Sequence, residues 1–303
     1  MMTIDAHVHL YPDEINRDPA AWAAAQGERH WAVLCTRRRR TPGGVPVQDF
    51  PSTDELLRAM DAAGVEHAVL QGWYWENIPN CAMHNRFYAG CVRRHPDRFT
   101  AFATIHPGAG VEAVVAELRR ARDEGLQGLG ELSPYSQYIP PSLPPPPPPP
   151  SILAHPALEA ALELAAAWGW PVNLHVTDPQ GRPYPGRVDT PLAEIGEMAR
   201  RFPATKFVLA HWAGGLDVRE LRNVWLDTAA APLTHGDEAW RMIGRTCRAE
   251  QVIFGSDFPL RLQPARPAAE GLAAFAGGLE QAGAPAGVRS AHWQTMCAKR
   301  PGV

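Results

Sequence analysis

The chain has 303 residues, enough to bury a full core either as two domains or as one large α/β barrel. A formal net charge of −3 gives no reason to expect a nucleic acid or an anionic membrane as a partner. No apolar run approaches the ~18 residues of a membrane span, and we see no signal peptide. The five scattered cysteines contain no C-x-x-C pair, which favours a reducing compartment. We therefore expect a cytoplasmic protein, with a homodimer left open.

Eight short β-rich runs alternate with amphipathic helical patterns along the chain. Several runs are continuously apolar, which is typical of parallel strands buried on both faces. The predicted strands are 3–7, 67–72, 99–105, 127–132, 171–176, 206–211, 223–227 and 252–257, and the predicted helices are 52–64, 111–124, 156–168, 191–201 and 238–248. Ser52 with Glu55 three residues later forms a capping-box pattern, and Pro156 suits a first helical position.

This alternation predicts an α/β fold, a (β/α)8 TIM barrel formed as a single domain by residues 1–303. The alternative is an open doubly wound sheet. We favour the barrel because polar residues fall at the ends of strands one, four, five, six and eight. In a barrel the C-terminal ends of all strands converge on one mouth, where such residues can meet.

Two long connections follow strands one and four. The first, 10–51, contains four consecutive arginines at 37–40, which we interpret as a solvated basic run or as an attractor for a carboxylate substrate. The second contains a proline-rich insertion at 139–151 with an unbroken proline run at 144–150. Such a run is either an extended polyproline II segment or disordered. We interpret it as a stiff surface insertion; a ligand for an SH3-like partner is the alternative.

The first strand ends in Asp-Ala-His-Val-His, and alternate side chains of a strand point to the same face. His7 and His9 therefore aim at one point and make half of a divalent-metal site that a carboxylate can complete. His175 and His211 end two consecutive strands, which favours a functional role over core packing. Asp257 follows a very apolar strand, where a carboxylate is costly unless it is paired or metal-bound.

For other residues near the predicted mouth, the sequence leaves more than one role open. Glu131 ends the fourth strand and can bridge a second metal, bind substrate or form a salt bridge. Trp73, Trp75 and Trp212 follow strands two and six, where they can wall an aromatic or apolar substrate or simply pack under a loop.

Taken together, these motifs resemble the amidohydrolase superfamily, in particular the amidohydrolase-related branch of metal-dependent hydrolases and decarboxylases. The similarity runs from strand one to strand eight and includes His95–Phe99 and His211–Gly215 as motifs, with Gly255-Ser256-Asp257-Phe258-Pro259 near the end. The resemblance implies that His7, His9, His175 and Asp257 are metal ligands. It makes His211 either a second-metal ligand or a group that polarises the substrate, and it matches Glu131 to the strand-four glutamate of binuclear members.

The sequence departs from that pattern in two places. No lysine ends strand four, so we expect no carbamylated-lysine bridge. The C-terminal segment 290–296 lacks the Gly-Gly-Asn-Ala pattern expected in the last helix of the branch.

We therefore expect a hydrolase that uses a metal-activated water on a small amide, ester or lactone. Asp257 is the expected proton acceptor, and His211 helps stabilise the oxyanion. We expect one or two divalent ions, zinc first and manganese or iron as alternatives. The alternative activity is non-oxidative decarboxylation of a small unsaturated or aromatic acid with the same ligands. A barrel that only binds, perhaps through its proline run, is the third hypothesis.

Replacing 144–150 by a short Gly/Ser linker should preserve folding and metal content, because prolines have no amide donors for a sheet or helix. Thermal unfolding and metal analysis of the purified variant check this. A collapse of thermal stability would mean that the segment is packed into the barrel.

Overall fold

The computed structural model describes residues 2–40, 43–137, 151 and 155–298, apart from the side chain of Asp237. The proline run at 144–150 lies outside the described residues, as do all but the last residue of the predicted insertion at 139–151.

Within the described residues, eight strands pair in parallel with their neighbours in chain order. All eight predicted strands are present, most of them shorter than expected. They are β1 (Ile4–Val8), β2 (His67–Leu70), β3 (Phe99–Ala101), β4 (Leu129–Leu132), β5 (Pro171–Leu174), β6 (Lys206–Leu209), β7 (Val224–Asp227) and β8 (Val252–Ile253). The first three strands form one sheet and the other five form a second.

Backbone hydrogen bonds close these two sheets into a ring. Between β3 and β4, the N–H of Gln127 donates to the carbonyl of Ala101 at 2.9 Å. Between β8 and β1, the N–H of Ala6 donates to the carbonyl of Phe254 at 2.8 Å. An open doubly wound sheet would leave two unpaired edges at these positions. The fold is therefore the predicted (β/α)8 barrel.

Helices surround the ring and fill the connections. The α-helices are α1 (Asp13–Arg17), α2 (Pro19–Gln26), α3 (Arg29–Cys35), α4 (Thr53–Ala63), α5 (Ile78–Arg94), α6 (Val111–Asp123), α7 (Pro134–Gln137), α8 (Pro156–Trp168), α9 (Leu192–Arg201), α10 (Ala231–Thr234), α11 (Ala268–Gly278) and α12 (Ala291–Cys297). Four of the five predicted helices are α4, α6, α8 and α9. The first long connection is not an open loop, because α1, α2 and α3 occupy nearly half of it.

The prediction of a helix at 238–248 is wrong. A 3₁₀ helix, Gly236–Met242, stands there instead. Gly244 has a φ of +81°, a left-handed conformation that interrupts the helical hydrogen-bond pattern. Helix α5 was missed for a different reason: its buried face carries polar side chains such as His84 and Asn85, so the apolar periodicity is weak.

Apolar packing leaves one end of the barrel interior free for polar groups. The larger core lies between the ring of strands and the helices. A separate apolar cluster includes residues of the strands and of α12, namely Ile4, Ala6, Val69, Phe102, Val208, Ile253, Trp293 and Met296. Trp293 shares a cavity wall with Ile4 and His67, which begin β1 and β2. The cluster therefore fills the end where strands begin, and polar side chains collect where they end.

The capping box predicted before α4 is present and gives a stability test. Ser52 Oγ accepts from the N–H of Glu55 at 3.3 Å, and Glu55 Oε2 accepts from the N–H of Ser52 at 2.8 Å. Ser52→Ala should cost about 1 kcal/mol and lower the melting temperature by roughly 2 °C in a chain of this size. Ser52→Asp should keep most of the stability, because aspartate also caps helices well. Equal losses in the two variants, measured by thermal unfolding, would contradict this role.

Candidate metal centre

The imidazole rings of His7 and His9 face each other through their Nε2 atoms, which lie 3.1 Å apart. At the opposite side of each ring, Nδ1 faces an acceptor: the Asp227 carboxylate at 2.8 Å from His7 and the Gln71 carbonyl at 3.0 Å from His9. Each Nδ1 must therefore carry the hydrogen, which leaves a lone pair on Nε2 of a neutral ring. Two such lone pairs repel each other at this distance unless a proton or a cation lies between them.

Without a metal, a proton must relieve this repulsion, and the surrounding charges decide which ring takes it. Burial lowers the pKa of His7, but the Asp227 and Glu131 carboxylates outweigh burial and raise it to about 10. Burial, together with the charge on His7, lowers the pKa of His9 to about 3. A divalent cation bound by both lone pairs would take the place of that proton.

Asp257 adds a third ligand atom to this pair. Its Oδ1 lies 3.6 Å from Nε2 of His9 and 3.9 Å from Nε2 of His7. Burial raises the pKa of Asp257 to about 6, against the opposing effect of His7 and His211. The backbone of Asp257 has a φ of +69°, and its N–H donates to the His7 carbonyl at 2.9 Å. His7, His9 and Asp257 thus form a first set of candidate metal ligands, which we call the first ligand group.

Glu131, His175 and His211 form a second ligand group beside the first. Glu131 Oε1 lies 3.0 Å from His175 Nδ1 and 3.6 Å from His211 Nε2, and these two nitrogens are 3.2 Å apart. Nδ1 of His211 faces the carbonyl of Ala229 at 3.1 Å and must carry the hydrogen. A neutral His211 therefore presents its Nε2 lone pair to the group, as His7 and His9 do.

The Glu131 carboxylate connects the two groups. Its Oε2 lies 3.6 Å from His9 Nε2 and 3.8 Å from His7 Nε2, while Oε1 faces His175. Burial would raise the pKa of Glu131, but His175 and His7 hold it well below its usual range. A single ionised carboxylate between the two groups can serve ions on both sides.

The types of ligand atom and the distances between them fit a divalent metal ion. Four-coordinate zinc with bonds of ~2.1 Å separates neighbouring ligand atoms by about 3.4 Å. The separations given above are 3.1–3.9 Å in the first group and 3.0–3.6 Å in the second. Imidazole nitrogen and carboxylate oxygen suit zinc, manganese and iron. Cations would also offset the cost of burying several carboxylates together.

The structure groups His175 differently from the sequence expectation. We expected His175 to join His7, His9 and Asp257, with His211 apart from them. In the structure His175 lies with His211 and Glu131, because β4, β5 and β6 are hydrogen-bonded neighbours in the ring. The residues of the first group come from β1, from His9 directly after it and from the segment after β8. These segments meet where the ring closes between β8 and β1.

His211 stands at the start of a left-handed turn. His211, Trp212 and Ala213 have φ values of 56°, 57° and 52°, and two glycines continue the turn. This conformation costs roughly 1–2 kcal/mol per non-glycine residue. The turn carries the His211 ring to the second ligand group, which is the kind of position where proteins retain such strain.

Asp227 is the site residue that the sequence analysis missed. It is fully buried at the end of β7 and accepts a hydrogen bond from His7 Nδ1 at 2.8 Å. A signal was present, because the predicted strand 223–227 ends in this aspartate.

Only one of the three predicted substrate-lining tryptophans lies at the ligands. The Trp73 ring is 5.4 Å from that of His9, centroid to centroid. Trp75 and Trp212 are fully buried and offer no surface to a substrate, which corrects their predicted role. Trp75 Nε1 donates to His84 Nδ1 at 3.1 Å, and Trp212 packs edge-on against Trp240. Both rings stabilise loops of the mouth from beneath.

A sequence profile described as amidohydrolase matches residues 4–289. The chain belongs to the amidohydrolase family. Members with known structures include hydrolases and decarboxylases, so the family is one of enzymes. No curated protein sequence matches the chain significantly.

Three solved structures illustrate the likeness in fold. A 5-carboxyvanillate decarboxylase from Sphingomonas paucimobilis has a TM-score of 0.65 at 18% identity, with 98% of each chain covered. A probable 2-pyrone-4,6-dicarboxylic acid hydrolase from Acinetobacter baumannii has a TM-score of 0.58 at 15% identity, covering 98% of this amidohydrolase and 99% of that chain. A 5-carboxyvanillate decarboxylase from Novosphingobium aromaticivorans, complexed with manganese, has a TM-score of 0.61 at 14% identity, covering 91% and 90%.

None of the helices described for this amidohydrolase is both long and apolar enough to cross a membrane.

The two ligand groups predict how metal content responds to loss of His175. Metal-free protein titrated with zinc should bind two ions per chain, one for each group. His175→Gln should bind about one ion, because the first group stays complete. His67→Gln, at the opposite end of the barrel, should still bind two. Elemental analysis after gel filtration gives the stoichiometry, and complete loss of zinc from His175→Gln would mean that His175 belongs to the first group after all.

Proposed function

We propose that this amidohydrolase is a divalent-metal-dependent hydrolase of a small amide, ester or lactone. The observation that carries the proposal is the position of Glu131 between two ligand groups. A shared carboxylate suits a pair of ions, and paired ions are a common arrangement in enzymes that activate water for hydrolysis. A decarboxylase of this branch is expected to use one.

The metal would be held by His7, His9 and Asp257, and by Glu131, His175 and His211 if a second ion is bound. We expect zinc first, with manganese and iron as alternatives. Divalent metal supplies Lewis acidity, which makes water reactive near neutral pH and polarises a carbonyl.

Asp257 is the group that we assign to proton transfer. Its side chain is 16% exposed, whereas those of His7 and Glu131 are 0% and 2% exposed, so a substrate can approach it. A carboxylate at this position can accept the proton of the attacking water and return it to the leaving group.

His211 lies beside Asp257 at the second ligand group. Its side chain is 13% exposed, and the two residues act on each other electrostatically. The Ala229 carbonyl fixes the Nδ1 side of the ring, so Nε2 remains directed at the ligands. Burial lowers the pKa of His211, but the Glu131 and Asp257 carboxylates outweigh burial and raise it to about 9. When no second ion is bound, Nε2 therefore carries a proton and can donate to the negative charge that develops on the substrate oxygen.

An aromatic wall on one side of the ligands suits a flat substrate. The rings of Trp73 and Tyr74 stack with their centroids 4.4 Å apart. Tyr74 in turn lies 5.4 Å from His175, and Trp73 lies 5.4 Å from His9. The two rings therefore line both ligand groups, and Trp73, which keeps 7% of its surface exposed, is the one that can contact a flat substrate such as a lactone.

Non-oxidative decarboxylation of a small unsaturated or aromatic acid is the second candidate. The Arg37 guanidinium lies over the Tyr184 ring, 5.4 Å from its centroid, and Nε of Arg37 is buried without a hydrogen-bond partner among the described residues. Arg37 and Asp257 both lie within electrostatic range of Tyr184. A cation placed in this way suits an acidic substrate. Some of the solved structures similar in fold are decarboxylases.

A substrate panel separates the two candidates. Protein loaded with zinc or manganese is offered simple esters, lactones and amides, together with 2-pyrone-4,6-dicarboxylate and 5-carboxyvanillate. Ring opening or acid release without gas supports hydrolysis. Release of CO2 with no uptake of water would replace the proposal by its alternative, and activity that survives complete removal of metal would contradict both.

Replacement of Asp257 tests its assigned role. Asp257→Asn should lower turnover by at least 100-fold, because an amide cannot accept the proton of water. Asp178→Asn is a matched control in the loop after β5, and it should stay within about threefold of the parent. Circular dichroism and thermal unfolding verify the fold of both variants. Near-normal turnover of a folded, metal-loaded Asp257→Asn would mean that another group is the base.

A further inference from the structure

Asp227 makes four hydrogen bonds in the barrel interior although it is fully buried. Oδ2 lies 2.8 Å from Nδ1 of His7 and 3.2 Å from Nδ2 of Asn173. Oδ1 accepts from the backbone N–H groups of His211 and Ala229, each at 3.1 Å. One side chain thus contacts a ligand ring of the first group and the backbone of a residue in the second.

We propose that Asp227 is a positioning residue that keeps His7 in the tautomer able to bind metal and fixes the turn that carries His211. The inference rests on the proposed metal centre. The Asp227 carboxylate requires a hydrogen on Nδ1 of His7, which directs the Nε2 lone pair at His9 and Asp257. Carboxylates that accept from metal-bound histidines in this way orient the ring and raise its affinity for the metal.

The donor count explains why a carboxylate is needed at this position. A carboxylate has two oxygens and about four lone-pair sites, enough to accept from all four neighbouring donors. An asparagine offers one oxygen and one NH2 group. If its oxygen continues to accept from His211 and Ala229, its NH2 group must face Nδ1 of His7. His7 would then be driven to the other tautomer, with the hydrogen on Nε2 and no lone pair for the metal.

If Asp227 served only as a structural anchor, different results would be expected. An anchor would affect stability and would not discriminate between the two nitrogens of the His7 ring. Asp5 provides a matched control, because it is equally buried in the same part of the barrel. Asp5 Oδ1 accepts from the N–H groups of His7 and Ser256 at 3.2 and 2.8 Å, but Asp5 makes no hydrogen bond to a ligand ring. Asp5→Asn therefore makes the same chemical change without altering the tautomer.

The first measurement is zinc affinity by competition with a chromophoric chelator, using full-length protein freed of metal. Asp227→Asn should bind zinc 10- to 100-fold more weakly than the parent, whereas Asp5→Asn should stay within about twofold. Thermal unfolding in excess chelator identifies any loss of stability that is independent of metal. Equal zinc affinity of Asp227→Asn and the parent would overturn the role of Asp227. A parent protein that binds no divalent metal would instead overturn the proposed function.

The second measurement does not depend on folding of the variant. In zinc-loaded parent protein labelled with ¹⁵N-histidine, the His7 ring should give a downfield N–H proton coupled to Nδ1, shielded from exchange by Asp227. The signal should persist in Asp5→Asn, and a folded Asp227→Asn should lack it. A His7 ring that carries its hydrogen on Nε2 in the zinc-loaded parent would overturn the inference.

Discussion

The polar end of this barrel is organised by the repulsion between two imidazole lone pairs. Nε2 of His7 and Nε2 of His9 lie 3.1 Å apart, and acceptors on the far side of each ring fix both tautomers. Neither imidazole ring can flip without losing a buried hydrogen bond, and that loss costs on the order of 1–3 kcal/mol. A positive charge between the rings is therefore required, and the nearby carboxylates make a divalent cation better suited to the position than a proton.

The closed ring of strands makes this arrangement possible. Parallel strands bring their C-terminal ends to one mouth, and hydrogen bonds at both seams fix the relative heights of β1, β4 and β8. Apolar side chains fill the other end of the interior, so the polar groups share a region with little competing water. In such surroundings the attraction between a cation and carboxylates is much stronger than at the surface.

The residues of each ligand group lie on or directly after strands that are neighbours in the ring. Asp257 and His211 belong to different groups and are the most exposed members of each, together with His175. A substrate entering at the mouth would thus meet a proton acceptor on one side and an oxyanion-stabilising group on the other. Hydrolysis and decarboxylation differ in what this site must place next to Asp257. Hydrolysis needs a water there, and decarboxylation needs the carboxylate of the substrate.

The sequence alone determined the fold and most of the residues of the centre. Period-two alternation aimed His7 and His9 at one point, and apolar runs ending in His175, His211, Glu131 and Asp257 identified the mouth, because these patterns are local. Tertiary structure decided which ligands share a group, since that depends on which strands are neighbours in the ring. It also decided that Trp75 and Trp212 are buried and that Asp227 contacts His7, a residue 220 positions away. Contacts between residues so far apart depend on the relative height and rotation of strands in the closed barrel, and no local periodicity encodes these.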